Sequence, residues 1–346
     1  MVCRKGIVLA GDMGGTKTDL GLFEIAAGVL RPVKEARFEN SLYGSPEDVI
    51  AEFLKSAREA GVTGEIAAAS IGVACPVEGD SARLTNLDWT ISAGRLKKRF
   101  KIKNVRLIND MVATAYGLAF LKKGDYITLQ AGTAGREGNA VVIAPGTGLG
   151  EVIIFRGKDD SSAPSPSEGG HADFAPQSRR EIELLVYLME RFGHVSYERV
   201  VSGPGLKNIY DFVTRDGGVS QAIKKRFERE DPSFVITDEA RKKKGDRACR
   251  EALEIFVSVL GAESGNLALK SLATGGVFVA GGIAPAIADT LKKSLFIKAF
   301  RDKGRFMGLL SKIPVHVLLN PRCALSGAAN HARGMATGAG PKDETI

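Results

Sequence analysis

The stretch Gly11-Asp12-Met13-Gly14-Gly15-Thr16-Lys17-Thr18-Asp19 lies between two apolar runs, Ile7-Val8-Leu9-Ala10 and Leu20-Gly21-Leu22-Phe23. Strand, glycine turn, strand is the pattern of a hairpin. It recurs as Ala140-Val141-Val142-Ile143-Ala144, then Pro145-Gly146-Thr147-Gly148-Leu149-Gly150, then Glu151-Val152-Ile153-Ile154-Phe155. Adjacent glycines such as Gly14 and Gly15 are expected to turn with positive φ and bring backbone N–H groups close to a ligand. Thr16 and Lys17 add a hydroxyl and a cation at the tip. This is phosphate chemistry, and two such hairpins can grip one polyphosphate from opposite sides. Asp12 would repel a phosphate directly, so its expected partner is a hydrated Mg²⁺ that travels with a nucleotide. Taken alone, the first stretch also fits an ordinary glycine hairpin.

Neither turn has the P-loop pattern of Gly, four residues, then Gly-Lys-Ser/Thr entering a helix, and neither is a dinucleotide fingerprint. A third turn, Val277-Phe278-Val279-Ala280-Gly281-Gly282-Ile283-Ala284-Pro285, runs from an apolar strand toward a helix. Its paired glycines Gly281 and Gly282 allow close approach of a flat group such as a nucleotide base or ribose. Val105-Arg106-Leu107-Ile108 reads as a strand with Asn109-Asp110 at its carboxyl end, just before a helical stretch over 111–121. Ligands bind at that position in open α/β sheets. An amide beside a carboxylate can orient a hydroxyl and accept its proton, yet Asp is also a common helix cap there, so the residues alone leave both roles open for Asp110.

Taken together, Asp12-Met13-Gly14-Gly15-Thr16-Lys17, Ile108-Asn109-Asp110, Gly146-Thr147-Gly148-Leu149-Gly150, Glu168-Gly169-Gly170-His171, Ser202-Gly203-Pro204-Gly205 and Ala280-Gly281-Gly282-Ile283 resemble the motif series of bacterial glucokinases. These belong to the actin/hexokinase/Hsp70 ATPase superfamily. The motifs stand in the family's order and spread over nearly the whole chain. The resemblance implies an α/β, two-domain actin-like ATPase (ribonuclease H-like) fold with an inter-domain cleft. Its small domain would take residues 1–120 completed by a C-terminal helix, 324–346, and its large domain residues 121–323. It also implies transfer of the ATP γ-phosphoryl group to the 6-hydroxyl of D-glucose, the step that opens glycolysis.

By the same resemblance Asp110 is the general base, and Asn86, Asn109, Asp110, Glu168, His171 and Glu198 fix the sugar. Gly14, Gly15, Thr16, Lys17, Gly146, Thr147, Gly148, Gly203, Gly281 and Gly282 hold the nucleotide, and Asp12 orients Mg²⁺ through water. A carboxylate accepts and an imidazole can donate, so Glu168 and His171 suit a polyol. Asn86 also fits a structural turn. The expected partners are glucose and ATP, without nucleic acid or membrane, and the family expectation is a homodimer. Two alternatives stand beside this reading. One is a kinase for another hexose, such as mannose or an acetylated hexosamine. The other is a non-catalytic, nucleotide-gated binding protein on the same fold, which would need the phosphate hairpins but not the sugar set.

The bulk properties agree with a globular enzyme. The chain has 346 residues, enough for two domains of ordinary size or one large one, with 44% hydrophobic and 25% charged content. The start is not signal-like and no stretch is expected to span a membrane. Cys3, Cys75, Cys249 and Cys323 show no Cys-x-x-Cys spacing, which argues against a disulfide framework or a zinc site and for a reducing cytoplasm. The net charge is +8, and Lys97-Lys98-Arg99, Lys224-Lys225-Arg226 and Arg241-Lys242-Lys243-Lys244 read as solvated surface without interleaved aromatics.

The remaining segments read simply. Ser45 caps a helix with Pro46 in its first turn and Val49, Phe53, Leu54 and Ala57 on one face, closed by Gly61. Residues 66–74 form a buried strand, and 157–167, polar and broken by prolines, a flexible loop. Ser178-Arg179-Arg180-Glu181 is a capping box leading a helix with Ile182, Leu185, Val186 and Met189 among its apolar residues. Residues 246–272 carry a long helical pattern, 313–319 a last strand and 326–333 a helix, while the tail 334–346 is expected to be disordered.

Overall fold

The computed structural model describes residues 6–84, 87–133, 138–157 and 162–338. The first hairpin is formed by Gly6–Met13 and Lys17–Ala26, antiparallel, with Asp12 opposite Asp19 and Met13 opposite Thr18. It belongs to a five-stranded sheet in the order Val29–Glu39, Lys17–Ala26, Gly6–Met13, Ile66–Val73, Asn104–Asn109. The first three strands pair antiparallel, and Gly6–Met13, Ile66–Val73 and Asn104–Asn109 pair parallel.

The second hairpin opens a sheet on the same plan. Its order is Ser162–Ser167, Leu149–Arg156, Ala140–Pro145, Gly276–Val279, Val315–Leu318, Tyr126–Gln130. Ala140–Pro145 runs antiparallel to Leu149–Arg156 and parallel to Gly276–Val279, which is itself parallel to Val315–Leu318. A glycine hairpin continued by parallel strands thus occurs twice, as expected of a ribonuclease H-like α/β fold. A small sheet of Val77–Glu78, Ser81–Leu84 and Trp89–Ser92 completes the strands.

The described residues divide into two compact units. One takes the described parts of Met1–Lys123, Arg156–Pro166 and Asn320–Ile346, the other those of Gly124–Phe155 and Ser167–Leu319. In the first, the helix Pro46–Glu59 lays Val49, Ile50, Phe53 and Ala57 against Leu9, Leu20 and Ile71. Its Ser45 cap accepts the Asp48 N–H as the sequence pattern indicates. A separate cluster joins Ala328, Ala329 and Ala332 of the helix Cys323–Thr337 to Val8, Ala10 and Ala68. In the second unit the long helix Arg247–Ser271 is capped by Asp246 and packs Phe256 and Leu260 with Val141, Val277 and Val315.

Three expectations change. Residues 162–167 form a strand rather than a flexible loop. Its prolines, Pro164 and Pro166, are tolerated because the strand lies at a sheet edge, where a missing N–H breaks no central ladder. The C-terminal helix continues to Thr337, so 334–337 are ordered helix rather than tail. Arg247–Ser271 is long and apolar enough to cross a membrane by length and composition, contrary to the sequence reading. Of its apolar 18-residue stretch, 78% is buried inside the protein, because the helix is the core element of its unit. Arg179–Phe192 buries Leu184 and Leu188 and leaves Ile182, Val186 and Met189 exposed.

Candidate active-site residues and family

In the first unit, Asp12 stands inside its strand rather than in the turn, which is reduced to Gly14-Gly15-Thr16. Burial pushes its carboxyl up to about 7, reinforced by the negative charges of Asp110 and Asp19 and opposed by Arg37. Arg37 itself grips Asp19 through two hydrogen bonds of 2.8 and 2.7 Å. The turn is closed by the Gly14 N–H donating to the Lys17 carbonyl at 2.9 Å.

The turn is also held from outside. The buried Asn40 amide donates to the Gly14 carbonyl at 2.8 Å and accepts from the Thr18 hydroxyl at 2.7 Å, while its backbone N–H donates to the Thr16 carbonyl at 2.9 Å. Contrary to expectation, neither Gly14 nor Gly15 has a positive φ. With Asn40 fixing both ends, the reversal does not depend on a left-handed residue. What glycine leaves at position 14 is space, since a Cβ there would meet only the Lys17 carbonyl at 3.5 Å. Lys17 faces Glu39 at 3.4 Å with both side chains half exposed, a pairing weak enough to yield to a stronger anion.

Asn109 and Asp110 stand at the junction of Asn104–Asn109 with the helix Asp110–Gly117. Both roles weighed for this position are visible at the backbone. Asn109 is the cap, accepting the Met111 N–H at 2.9 Å, and Asp110 Oδ1 accepts the same N–H at 2.8 Å. Asp110 also makes itself felt at Asp12 and at Cys75, whose thiol is pushed up by burial and then by the Asp110 charge.

In the second unit, Gly146 and Gly148 close the hairpin through a bond from the Gly146 N–H to the Gly148 carbonyl at 2.8 Å. The Gly203 N–H donates to the Gly146 carbonyl at 2.8 Å, which sets the turn against the N-terminus of the helix Gly203–Val213. Ser202-Gly203-Pro204-Gly205 is therefore a helix start, with Ser202 as cap and Pro204 in the first turn, and such an end attracts anions. Gly281 has φ +78°, and a Cβ there would lie 2.4 Å from the Pro145 carbonyl, so this glycine serves backbone contact. Gly282 faces open space.

Glu168, His171 and Glu198 come together. His171 has Nε2 3.9 Å from Glu168 Oε2 and Nδ1 4.0 Å from Glu198 Oε1. Glu168, just before the single helical turn Gly169–His171, and His171 within it are exposed, and Glu198 is half buried on the turn Tyr197–Arg199. Glu198 Oε2 accepts the Leu149 N–H at 3.0 Å and occupies the space a Gly148 Cβ would need, 2.5 Å away. One exposed and one half-buried carboxylate, with a ring that donates or accepts, form a set able to bind several hydroxyls at once. Asn86 lies outside the described residues.

Residues 9–335 match the family described as Glucokinase. The chain belongs to the glucokinase family. A curated glucokinase from a Nostoc species is 38% identical over 340 residues, covering 93% of this chain and 98% of that protein. The crystal structure of a glucokinase from an Antarctic psychrotroph superposes with a TM-score of 0.79 at 28% identity, covering 94% of this chain and 98% of that one. The glucokinase of Balamuthia mandrillaris, solved in complex with glucose, has the same fold. It gives a TM-score of 0.76 at 21% identity and covers 96% of this chain and 95% of that one.

Family membership carries the actin-like ATPase fold seen in the two sheets. Sequence reasoning missed two kinds of residue. Asn40 has no motif around it, and Glu151 reads merely as part of a strand, although it lies directly under Gly169. As for a metal, among the described residues no group of three or more His, Cys, Asp or Glu could hold an ion. Asp12 offers one half-buried carboxylate crowded by two others, a set that fits a cation brought by a nucleotide and held through water.

Proposed function

We infer that this chain phosphorylates D-glucose at its 6-hydroxyl with ATP. The observation that carries the reading is the family match across residues 9–335, which takes in each of the motifs assigned to nucleotide and sugar. Phosphoryl transfer asks the protein mainly for positioning and charge neutralisation. In this reading Glu168, His171, Glu198, Asn86 and Asn109 hold the sugar hydroxyls. Asp110 accepts the proton of the attacking hydroxyl. Gly14, Gly15, Thr16, Lys17, Gly146, Thr147 and Gly148 present backbone N–H groups, a hydroxyl and a cation to the phosphates, and Gly203, Gly281 and Gly282 accommodate the rest of the nucleotide.

Asp12 would hold Mg²⁺ through water, and the ion would neutralise charge that develops on the phosphates. Burial and then the charges of Asp110 and Asp19 raise Asp12, and a nearby cation opposes both, so the ionised form is favoured once nucleotide and its ion are bound. A cytoplasmic homodimer belongs to the same reading and rests on the family resemblance.

The test is a coupled assay of ADP formation with Mg²⁺ and ATP, comparing glucose with mannose, fructose, N-acetylglucosamine and no sugar. Glucose-dependent turnover far above the others is expected, and sugar-independent hydrolysis would overturn the reading. Asp110→Asn keeps an acceptor for the Met111 N–H but loses the base. Its kcat should fall roughly 10²–10⁴-fold with glucose KM little changed.

A further inference from the structure

Two buried carboxylates that no motif accounts for lie behind the Glu168, His171 and Glu198 set. Glu151, on Leu149–Arg156, is 2% exposed, and Glu263, on the long helix, is fully buried. Glu151 Oε2 stands 2.0 Å from where a Gly169 Cβ would be, so its carboxylate lies against the backbone between Glu168 and His171. Glu263 Oε2 accepts from the Asn266 amide at 2.9 Å, and the same amide donates to the Tyr197 hydroxyl at 2.9 Å, next in the chain to Glu198. The two acids therefore reach both halves of the sugar set, one through Gly169 and the other through Tyr197. Two residues before Glu151, the Leu149 N–H holds Glu198 directly.

We propose that Glu151 and Glu263 are positioning residues for the hexose, a buried carboxylate pair that sets the placement of the Glu168–His171 turn and of Glu198. The proposal rests on the hexose reading of Glu168, His171 and Glu198 given above. Glu151 Oε1 has no hydrogen-bond partner among the described residues, and Glu263 Oε1 has only the ion pair to Lys270 at 3.5 Å. Lys270 pairs with Glu263, and Glu151 Oε1 has no hydrogen-bond partner among the described residues, so a proton on Glu151 removes the cost of burying its charge. Burial and Glu263 push Glu151 up to about 7, with Lys270 opposing. The other groups facing the pair are Tyr197, whose hydroxyl shares the Asn266 amide with Glu263, and Lys303, whose ammonium feels Glu263, Asp302 and Glu181. Proton loss from Glu151 puts a buried negative charge against the Gly169 backbone, and the turn shifts to relieve it.

The experiment measures glucose KM and ATP KM of the full chain from about pH 6 to about pH 9, for wild type, Glu151→Gln, Glu151→Ala and Glu168→Gln. In wild type, glucose KM is expected to rise with pH while ATP KM stays level. Glu151→Gln keeps the shape of the protonated acid, so its glucose KM should match the low-pH wild-type value and lose the rise. Glu151→Ala removes the support under Gly169 and should raise glucose KM about tenfold at every pH. If Glu151→Gln follows the wild-type pH curve, or if the changes fall equally on glucose and ATP, the proposal is overturned. Glu151→Gln decides the matter even where the alanine variant fails to fold. Glu168→Gln separates the two readings. Should it leave glucose KM unchanged, the hexose assignment itself has failed, whereas a raised KM there beside wild-type behaviour at Glu151 defeats only the positioning role.

Discussion

Asn40 shows how one residue can govern a ligand turn without touching a motif. Its side chain joins the Gly14 carbonyl to the Thr18 hydroxyl in a buried position, so Asn40→Ala leaves both partners unsatisfied. A loss of about 1–3 kcal/mol is expected by urea unfolding, with ATP KM rising more than glucose KM. An unchanged ATP KM would show that the Gly14-Gly15-Thr16 turn does not need this support. The residue was invisible in the sequence because the strand register that sets Lys17 opposite Glu39 brings Asn40 to the turn. The motif residues, by contrast, were legible, since glycines beside Thr and Lys between two apolar runs announce a ligand-facing turn. Their backbone geometry was not, and Gly14 and Gly15 contribute space instead of a left-handed conformation.

At the level of elements, the hairpins and the capped helices followed from local chemistry. Ser45 and Ser178 each accept a backbone N–H at the start of the helix they precede, as their capping patterns indicate, while Asp231 and Asp246 cap theirs without having been read as caps. The strand Ser162–Ser167 did not follow, because prolines read as loop until the neighbouring strand is known. The second hairpin also carries an element-scale prediction. Gly148 was assigned to phosphate, yet a Cβ there would collide with Glu198 Oε2 at 2.5 Å, and the backbone does not need a positive φ. Gly148→Ala should therefore displace Glu198 and raise glucose KM about tenfold while the hairpin still forms. A rise confined to ATP KM would return Gly148 to phosphate binding alone.

Over the whole molecule, buried acids shape the pH dependence of stability. Glu151, raised from 4.5 to about 7, binds its proton more tightly folded than unfolded. Its contribution is fully present below about pH 4.5 and is lost as pH rises through about 7, up to about 3 kcal/mol in all. Asp12 acts in the same direction, from 3.8 to about 7. His316 and His331, lowered mainly by burial, oppose it, because the unfolded chain protonates them first as pH falls. The slope of any one protein is a sum, so the informative quantity is a difference. Glu151→Gln, neutral at every pH, should gain stability relative to wild type as pH climbs from about 5 to about 8, read from Tm in parallel buffers. A constant difference across that range would mean that Glu151 is already ionised throughout.

The sequence by itself determined the α/β class, the two glycine hairpins, the helix starts and the family, since these depend on local pattern and on the order of motifs along the chain. Only the tertiary structure decided that Asn40 holds the first turn, that Glu198 fills the space beside Gly148, that Glu151 lies against Gly169, and that Glu263 is joined to Tyr197 through Asn266. Each of these is a contact between residues far apart in the chain, where distance and burial give a lone Asn or Glu its meaning. Such residues carry no signature in a linear sequence, because their chemistry depends on what packing places against them.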